Sequence, residues 1–226
     1  MRFGILGTGV VGKTIAARLA GLGHAVMVGT RDPEETMSRA EPDAYGNPPF
    51  SAWQEEHSEV RLATFAATAA YGEMLVNATA GGVSLEALEL AGEDFLNGKI
   101  LMDVSNPLDF SKGLPPTLSV SNTDSLGEQI QRRFPEAKVV KTLHTMNAYL
   151  MVNPAQLARS DHTVFVSGDE AEAKATVTEL LTSFEWTDVI DLGDITTARG
   201  TEMLLPIWVR LFGVLQKPIF NFQIVR

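Results

Sequence analysis

Short apolar segments of strand length alternate with segments of helical periodicity along most of the chain. In the first helical segment, Val11, Ile15, Leu19 and Leu22 recur at steps of three and four residues. This alternation is typical of an α/β fold in which helices cover both faces of a doubly wound parallel sheet. We predict strands at residues 2–6, 25–28, 60–63, 74–78, 100–104, 139–142, 162–167 and 189–192, and further helices at residues 85–91, 125–134, 170–184 and 197–212.

The predicted strands fall into two groups, which indicates two domains. Residues 1–143 hold the first six strands, and residues 144–226 hold the last two with their helices. We therefore predict a large N-terminal domain followed by a small C-terminal α/β domain, and a length of 226 residues suits this arrangement. Residues 41–59, with three prolines and Trp53, form a long excursion from the alternating pattern.

The composition excludes several classes of protein. A formal net charge of −10 argues against an extended nucleic-acid surface, and the lack of cysteine rules out disulfides, thiolate nucleophiles and cysteine-based zinc sites. The four histidines do not cluster with acidic residues at metal-ligand spacing, so we expect no metal site. We find no apolar run that could span a bilayer and no secretion signal, so we expect a cytoplasmic protein without membrane contact.

Three glycines follow the first predicted strand. Gly7, Gly9 and Gly12 form the pattern G-x-G-x-x-G between that strand and the first predicted helix. In this context the first glycine permits a tight turn, the second lets a pyrophosphate approach the backbone, and the third lets helix and strand pack closely. The free N–H groups at the helix N-terminus attract phosphate. The pattern predicts a Rossmann-type dinucleotide-binding domain rather than a glycine-rich turn without a ligand.

The end of the second predicted strand indicates which dinucleotide binds. NAD sites usually place an acidic residue there to accept hydrogen bonds from the ribose 2′-OH, whereas this chain has Thr30 and Arg31. A hydroxyl and a planar guanidinium suit a 2′-phosphate. The next residue, Asp32, is acidic and does not suit a 2′-phosphate. Because Pro33 follows it, we expect Asp32 to cap the next helix. We therefore predict NADP, against the alternative that Arg31 is a solvated surface charge.

Other strand ends meet the ligand crevice of a doubly wound sheet. Thr79 and Ala80 follow the fourth predicted strand in a run of small residues that leaves room for a ribose. Asn106 follows the fifth strand, where Pro107 stiffens the turn. Residues 141–148 follow the sixth strand and include His144, which is the one histidine predicted to lie at this edge. We weigh a structural role for His144 equally with a role at the acceptor.

The sequence lacks the usual side chains for proton transfer in dehydrogenases. It has no Tyr-x-x-x-Lys pair, and no Ser–His–Asp arrangement is suggested by its turns. Hydride exchange between two bound cofactors needs little acid or base, because it mainly requires a nicotinamide held close to an electrophilic ring with water excluded. This observation favours an oxidoreductase that transfers hydride directly, with His144 as the candidate catalytic residue.

Five short motifs occur in order along the chain, and together they resemble a known family. They are Gly7-Thr8-Gly9, Val28-Gly29-Thr30-Arg31, Asn106-Pro107-Leu108, Leu143-His144-Thr145 with Ala148, and Ala198-Arg199-x-x-Glu202. The set is similar to the NADP-dependent coenzyme F420 oxidoreductases, especially their bacterial members. The resemblance implies a Rossmann domain, a small C-terminal domain and a deazaflavin in the cleft between them.

The resemblance also implies roles for individual residues. Thr8, Val10 and Val11 would contact the cofactor phosphates, and Thr30 and Arg31 would bind the 2′-phosphate. The ribose and nicotinamide would lie along Thr79, Ala80, Asn106 and Ala148, and the deazaflavin would face His144, Met146 and Asn147. The chain departs from the archaeal enzymes at positions near the acceptor: they have Pro-Trp at Ala80-Gly81, proline at Asn147, an additional glycine in the first loop, and no clear counterpart of residues 41–59.

The last 26 residues are strongly apolar. Leu204, Trp208, Leu211 and Leu215 fall on one helical face, and Phe220 and Phe222 alternate as in a strand. Such a segment must be buried, either within its own domain or against a second subunit. Because the family forms dimers, the resemblance favours a homodimer through this segment.

Two other functions stay open on the sequence alone. The chain could be an NADPH-binding regulatory protein without turnover, which an assay of NADPH oxidation would distinguish. It could also be an NADP-dependent dehydrogenase or imine reductase of a small metabolite, which requires a proton donor beside the nicotinamide. Lys141 and His144 are the candidates for that donor. The acceptor could equally be a flavin, a quinone-like compound or another small molecule.

Overall fold

The computed structural model describes residues 1–42 and 46–226. Within them, eight strands form one sheet and two short strands form a hairpin. The strands are β1 (Arg2–Leu6), β2 (Ala25–Thr30), β3 (Arg61–Thr64), β4 (Met74–Asn77), β5 (Ile100–Asp103), β6 (Leu108–Asp109), β7 (Thr117–Leu118), β8 (Lys138–Thr142), β9 (Thr163–Ser167) and β10 (Asp188–Asp191).

The described helices follow the strands in the alternating order that the sequence predicts. They are α1 (Val10–Gly21), α2 (Pro33–Ser38), α3 (Phe50–Glu56), α4 (Phe65–Tyr71), α5 (Ser84–Ala91), α6 (Glu93–Leu96), α7 (Leu126–Arg133), α8 (Ala148–Val152), α9 (Ala171–Ser183), α10 (Ala198–Glu202) and α11 (Leu205–Leu215). Within the described part of the chain, no helix is long and apolar enough to cross a membrane.

The sheet order confirms the predicted α/β, Rossmann-type fold. Six strands are parallel in the order β3-β2-β1-β4-β5-β8, and the order reverses direction at β1. Alternate residues of β1 enter two separate cores: Phe3 and Ile5 pack on the side of α1, with Ile15, and Leu6 packs on the side of α5, with Leu88. Helices therefore cover both faces, and a crevice opens at the carboxyl ends of β1 and β4.

The last two sheet strands continue the same sheet. β9 pairs antiparallel with β8, and β10 pairs parallel with β9. The core on the α1 side also extends into this part of the chain, because Leu150 and Met151 of α8 belong to it. Trp186 closes this region by donating its indole N–H to the Met151 carbonyl at 3.0 Å. The division at residues 143 and 144 stays a prediction.

The C-terminal segment differs from the sequence prediction in two ways. The single helix predicted at residues 197–212 is two helices, α10 and α11, separated at Met203 and Leu204, and Pro206 lies in the first turn of α11. The strand pattern of Phe220 and Phe222 is wrong, because residues 216–226 form no strand. The Phe222 carbonyl instead accepts one hydrogen bond from Thr163 N, at 2.9 Å. The hairpin of β6 and β7 was not predicted.

The excursion at residues 41–59 packs against the start of the Rossmann unit. It includes α3, where Trp53 stacks on His57 with ring centroids 4.3 Å apart and packs against the α1-side core. Lys13 Nζ donates to the Pro48 carbonyl at 2.6 Å, so the excursion returns to the first turns of α1. Residues 43–45 of the excursion lie outside the described residues.

Candidate functional site

The glycine loop is shaped by close backbone contacts. Gly7 has φ +120°, a conformation that L side chains rarely adopt, and a Cβ there would lie 2.6 Å from the Ala78 carbonyl oxygen. A Cβ on Gly12 would overlap the Gly7 carbonyl. A Cβ on Gly9 would meet nothing within 4 Å. Gly7 and Gly12 are therefore needed by the fold, whereas no described residue packs against the position of a Cβ on Gly9.

The loop leads directly into the N-terminus of α1. Gly9 occupies the N-cap position, where no side chain caps the helix, and no acidic residue stands in the first turn with Val10, Val11 and Gly12. The first N–H groups of the helix therefore lack a side-chain acceptor, and the positive end of its dipole is not neutralised. An anion such as a pyrophosphate fits this end of the helix.

A cavity of about 220 Å³ joins this loop to the ends of β2 and β4. Its apolar walls include Phe65, Val83 and Leu90, which suit a flat ring such as adenine. Among the residues predicted to bind the cofactor, the structure brings seven together in its lining: Gly7, Thr8, Gly9, Thr30, Arg31, Thr79 and Ala80.

The end of β2 is arranged as the sequence predicts. Asp32 Oδ1 accepts a hydrogen bond from Glu35 N at 2.9 Å, and Pro33 is the first residue of α2, so Asp32 is the helix cap. Its carboxylate is thereby engaged, and the neighbouring Arg31 guanidinium is exposed at the cavity. Thr30 Oγ1 lies 2.8 Å from Thr36 Oγ1.

A second arginine, Arg39, also lines the cavity, and it was not predicted. Its guanidinium pairs with Glu35, with Nη2 and Oε1 2.7 Å apart, and both side chains are more than half exposed. The spacing of four residues on one helix face is the signal that could have placed the two together. Near the end of β2 the cavity lining therefore holds the guanidinium groups of Arg31 and Arg39 together with the carboxylates of Asp32 and Glu35.

Asn106 lies where β5 ends and contacts the loop after β8. Its Nδ2 donates to the His144 carbonyl at 3.0 Å, while its Oδ1 is buried without a hydrogen-bond partner among the described residues. A buried acceptor without a partner costs free energy, which a donor group of a ligand would recover. Gly81 completes the loop packing, since a Cβ there would overlap the Asn106 carbonyl. The residues present thus fit a nucleotide that extends from the cavity to Asn106.

The loop after β8 turns its side chains inward. Leu143 has φ 60°, and His144 and Met146 are buried beyond it. Asn147 caps α8, because its Oδ1 accepts from Tyr149 N at 3.0 Å, and Ala148 begins that helix. Among the predicted acceptor residues, Asn147 is partly exposed, whereas His144 and Met146 are buried.

The His144 imidazole is buried close to Lys141. Burial, together with the nearby charge of Lys141, holds its pKa well below the ordinary value of 6.5. Contacts with the backbone of Thr142 and Thr201 raise the pKa in part. Neither ring nitrogen, however, has a hydrogen-bond partner with normal geometry among the described residues. The lowered pKa disfavours the imidazolium form, so His144 is a poor general acid near pH 7.

Lys141 is fully buried between two carboxylates. Its Nζ lies 2.8 Å from Asp103 Oδ2 and 3.0 Å from Glu202 Oε1, and it donates to the Ser105 carbonyl at 2.8 Å. Burial lowers the pKa of Lys141, but the two carboxylates outweigh burial, so the pKa lies above its ordinary value. The ammonium has three N–H groups and three acceptors, so it has no proton free for a substrate.

Hydrogen bonds lead from one acceptor of Lys141, Asp103, toward the cavity. Asp103 Oδ1 accepts from Asn77 Nδ2 at 2.8 Å and from Ser105 Oγ at 2.7 Å. Asn77 Oδ1 then accepts from Thr79 Oγ1 at 2.7 Å. This buried polar network joins the ends of β4, β5 and β8, and it was not predicted. Among the described residues, no group of three acidic or histidine side chains could hold a metal ion.

Comparisons with known proteins agree with this geometry. The family described as "NADP oxidoreductase coenzyme F420-dependent" matches residues 2–107. The F420-dependent NADP reductase of Methanothermobacter marburgensis is 24% identical over 215 residues, which cover 93% of this chain and 92% of that protein. Metalloreductase STEAP3 of Rattus norvegicus is 30% identical over 212 residues, which are 92% of this chain but 38% of that protein.

Solved structures show the same relationship. A protein from Arthrobacter sp. FB24 that is assigned to the F420-dependent NADP reductases is 61% identical, with a TM-score of 0.96, and the match covers 100% of both chains. An imine reductase from Aspergillus terreus, solved with a nicotinamide cofactor, shares the fold at 16% identity with a TM-score of 0.61, over 95% of this chain and 62% of that chain. This chain therefore belongs to the family of coenzyme F420-dependent NADP oxidoreductases and is an NADP-dependent oxidoreductase.

Proposed function

We propose that the protein transfers hydride between NADPH and the deazaflavin coenzyme F420 or a flavin-like ring. One observation carries this proposal. The two side chains that the sequence offers as proton donors, Lys141 and His144, are both buried, and each N–H of the Lys141 ammonium already has an acceptor within the protein. Reduction of a carbonyl or imine needs a proton donor at the reacting centre. In ring-to-ring transfer the hydride step mainly needs alignment, and the ring nitrogen takes up its proton from water.

The cofactor site is proposed to extend across three strand ends. The α1 N-terminus with Thr8, Val10 and Val11 would hold the pyrophosphate, and Thr30 with Arg31 would hold the 2′-phosphate. Thr79, Ala80, Asn106 and Ala148 would border the ribose and the nicotinamide, where the unpartnered Asn106 Oδ1 suits the carboxamide N–H. When bound, NADPH supplies the hydride.

The acceptor is proposed to lie beside the loop that follows β8. Asn147 is partly exposed and the neighbouring Met146 is buried, so we propose that these residues form a wall against one face of the acceptor ring. His144 would support that wall from within the protein without donating a proton. The coenzyme named for the Methanothermobacter marburgensis relative favours a deazaflavin, since that protein is an F420-dependent NADP reductase and the match covers 92% of its length.

A reductase of a small metabolite is the second candidate, and Tyr149 is the observation that favours it. This residue follows Ala148 directly and is 51% exposed. Its hydroxyl is therefore accessible as a proton donor, whereas Lys141 and His144 are buried. Metalloreductase STEAP3 and the imine reductases show that relatives and fold neighbours act on different acceptors. An NADPH-binding sensor without turnover is the remaining alternative.

An acceptor panel tests the proposal. Purified protein is given NADPH with coenzyme F420, FMN, a ketone or a cyclic imine, and oxidation is followed by absorbance. We expect turnover with a ring acceptor, a loss of about tenfold or less in His144→Gln, and little change in Tyr149→Phe. Turnover confined to the ketone or imine, with a loss of roughly 10² or more in Tyr149→Phe, would establish the metabolite reductase instead. Binding of NADPH without oxidation by any acceptor would favour the sensor.

We also propose a homodimer that forms through the apolar C-terminal segment. α11 buries only Leu205, and its other apolar side chains remain partly or largely exposed, with Val214 at 80%. Apolar surface of this extent is typical of a subunit interface. The cytoplasmic location expected from the sequence stays a proposal.

A further inference from the structure

We propose that Lys141 is a positioning residue that sets the geometry of the nicotinamide half of the cofactor site. The inference rests on the proposed function, because it takes Thr79, Asn106 and the loop at His144 as the residues that border the nicotinamide. Lys141 is fully buried, and its ammonium bonds only to groups of the protein. It acts through the polar network that joins the three strand ends.

The network reaches each of these loops by short steps. From the ammonium, Asp103 and Asn77 lead to Thr79, whose Oγ1 donates to Asn77 Oδ1 at 2.7 Å and whose N–H lies 3.3 Å from the same oxygen. Lys141 Nζ also holds the Ser105 carbonyl, which belongs to the peptide bond preceding Asn106. A shift of the ammonium would therefore move both loops.

The other side of the ammonium faces the C-terminal part of the chain. Glu202 accepts from Lys141 Nζ and also from the N–H groups of Leu126 and Gly127, at 2.9 and 3.0 Å. Its carboxylate thus fixes α10 against the N-terminus of α7, where negative charge is favoured. Through Asp103 and Glu202, Lys141 therefore links the strand ends of the cofactor site to α10, the helix that precedes α11.

Stability alone does not account for this arrangement. Burying an ammonium and two carboxylates is costly, and apolar side chains of similar volume often give equal or greater stability. A fully satisfied polar network instead specifies one arrangement of the loops it joins. Here it joins the ends of β5 and β8, on the nicotinamide side of the site, to the end of β4, whose Thr79 also lines the cavity with Gly7 and Arg31. Among the described residues, the loops at Gly7 and Arg31, on the adenosine side, make no hydrogen bond with Lys141, Asp103 or Glu202.

The division of the site into two halves gives the experiment. Adenosine 2′,5′-bisphosphate has the 2′-phosphate and adenosine of NADPH but lacks the nicotinamide. We compare the affinities of NADPH and of this fragment by calorimetry in the unmodified protein, in Lys141→Met and in the milder Glu202→Gln. Lys99→Met is the matched control, because Lys99 Nζ donates to the Ala69 carbonyl at 2.7 Å, at the opposite end of β5.

We expect both network variants to bind NADPH about tenfold more weakly and to bind the fragment within twofold of the unmodified protein. Lys99→Met should change neither affinity. Equal weakening of both ligands, or no change in either, would overturn the positioning role. If Lys141→Met does not fold, Glu202→Gln decides the question by the same criteria. Failure of the unmodified protein to bind the fragment would contradict the proposed cofactor site instead.

Discussion

At the scale of single residues, local chemistry predicts much of the cofactor site. Asp32 was expected to cap α2 from its place before Pro33, and it does so. Arg31 was expected at the crevice, and its guanidinium is exposed there. Arg39 was missed because its approach to the cavity depends on how α2 packs. The helix cap at Asp32 depends on residues next to it in the sequence and could be predicted, whereas the position of Arg39 at the cavity depends on tertiary packing.

The first prediction concerns cofactor choice. We expect Arg31→Ala to weaken NADP binding by about 1.5–3 kcal/mol and to leave NAD binding nearly unchanged, because a charge-assisted contact with the 2′-phosphate is lost. Calorimetric titration with both cofactors measures the difference. Arg132→Ala is the control, because Arg132 pairs with Asp124 on the surface at 2.8 Å. Equal binding of NADP and NAD by the unmodified protein would contradict the assignment.

The second prediction concerns His144 and pH. Its pKa in the folded protein lies well below the ordinary value of 6.5, so the unfolded chain binds the proton more readily. The free energy of unfolding should therefore fall as pH drops below about 6.5, with a contribution of up to about 1.4 kcal/mol per pH unit from this residue.

The variant His144→Phe isolates that contribution. It removes the titration and places an apolar ring where two nitrogens lack partners, so we expect a shallower loss of stability between pH 6.5 and 5. Urea unfolding at a series of pH values measures the slopes. Identical slopes for the two proteins would show that His144 is not buried in its neutral form.

At the scale of secondary structure, the strands were well predicted because each is a short apolar run with a turn after it. The predicted helix at residues 197–212 was wrong in one respect, since it is divided at Met203 and Leu204, and Pro206 was the signal that could have shown the division. The Lys141 network could not be predicted from spacing. Asp103 and Glu202 lie 38 and 61 residues from Lys141 in the sequence, and only the sheet order and the packing of α10 bring them together.

The third prediction separates the roles of two glycines in the first loop. Gly9→Val should abolish NADP binding with little change in thermal stability, because the added side chain meets only the space that the pyrophosphate would use. Gly12→Val should destabilise the fold itself, because its Cβ would overlap the Gly7 carbonyl. Calorimetry and thermal unfolding distinguish the two. Normal cofactor affinity in Gly9→Val would mean that the loop is a structural turn.

At the scale of the whole molecule, one sheet extends from β3 to β10, but the C-terminal helix is poorly covered. Ile207, Phe212, Val214 and Leu215 of α11 are between 44% and 80% exposed. The sequence predicts that this apolar segment must be buried. Because the chain does not cover the segment alone, we expect a second copy of the chain to bury it.

The fourth prediction tests this interface. Ile207→Glu combined with Val214→Glu should convert a dimer into a monomer of 24.5 kDa, because two charges would have to be buried without partners. Sedimentation equilibrium measures the mass. Leu114→Glu is the control, since Leu114 is 82% exposed in the segment between β6 and β7. A monomeric unmodified protein at micromolar concentration, or a dimer that survives both charges, would refute the interface.

The fifth prediction concerns the central claim, that hydride passes directly from the nicotinamide to a ring acceptor. The most direct test uses NADPH with deuterium at either face of nicotinamide C4, incubated with coenzyme F420 or a flavin. Mass spectrometry then follows the label. For F420 we expect deuterium from one face alone to appear on the reduced deazaflavin carbon. A reduced flavin loses the label because its N–H exchanges with water, so for a flavin we expect NADPH labelled on that same face to react more slowly than unlabelled NADPH. Release of the label to water before reduction of the deazaflavin, or its transfer only to a carbonyl or imine carbon, would contradict direct transfer between the rings.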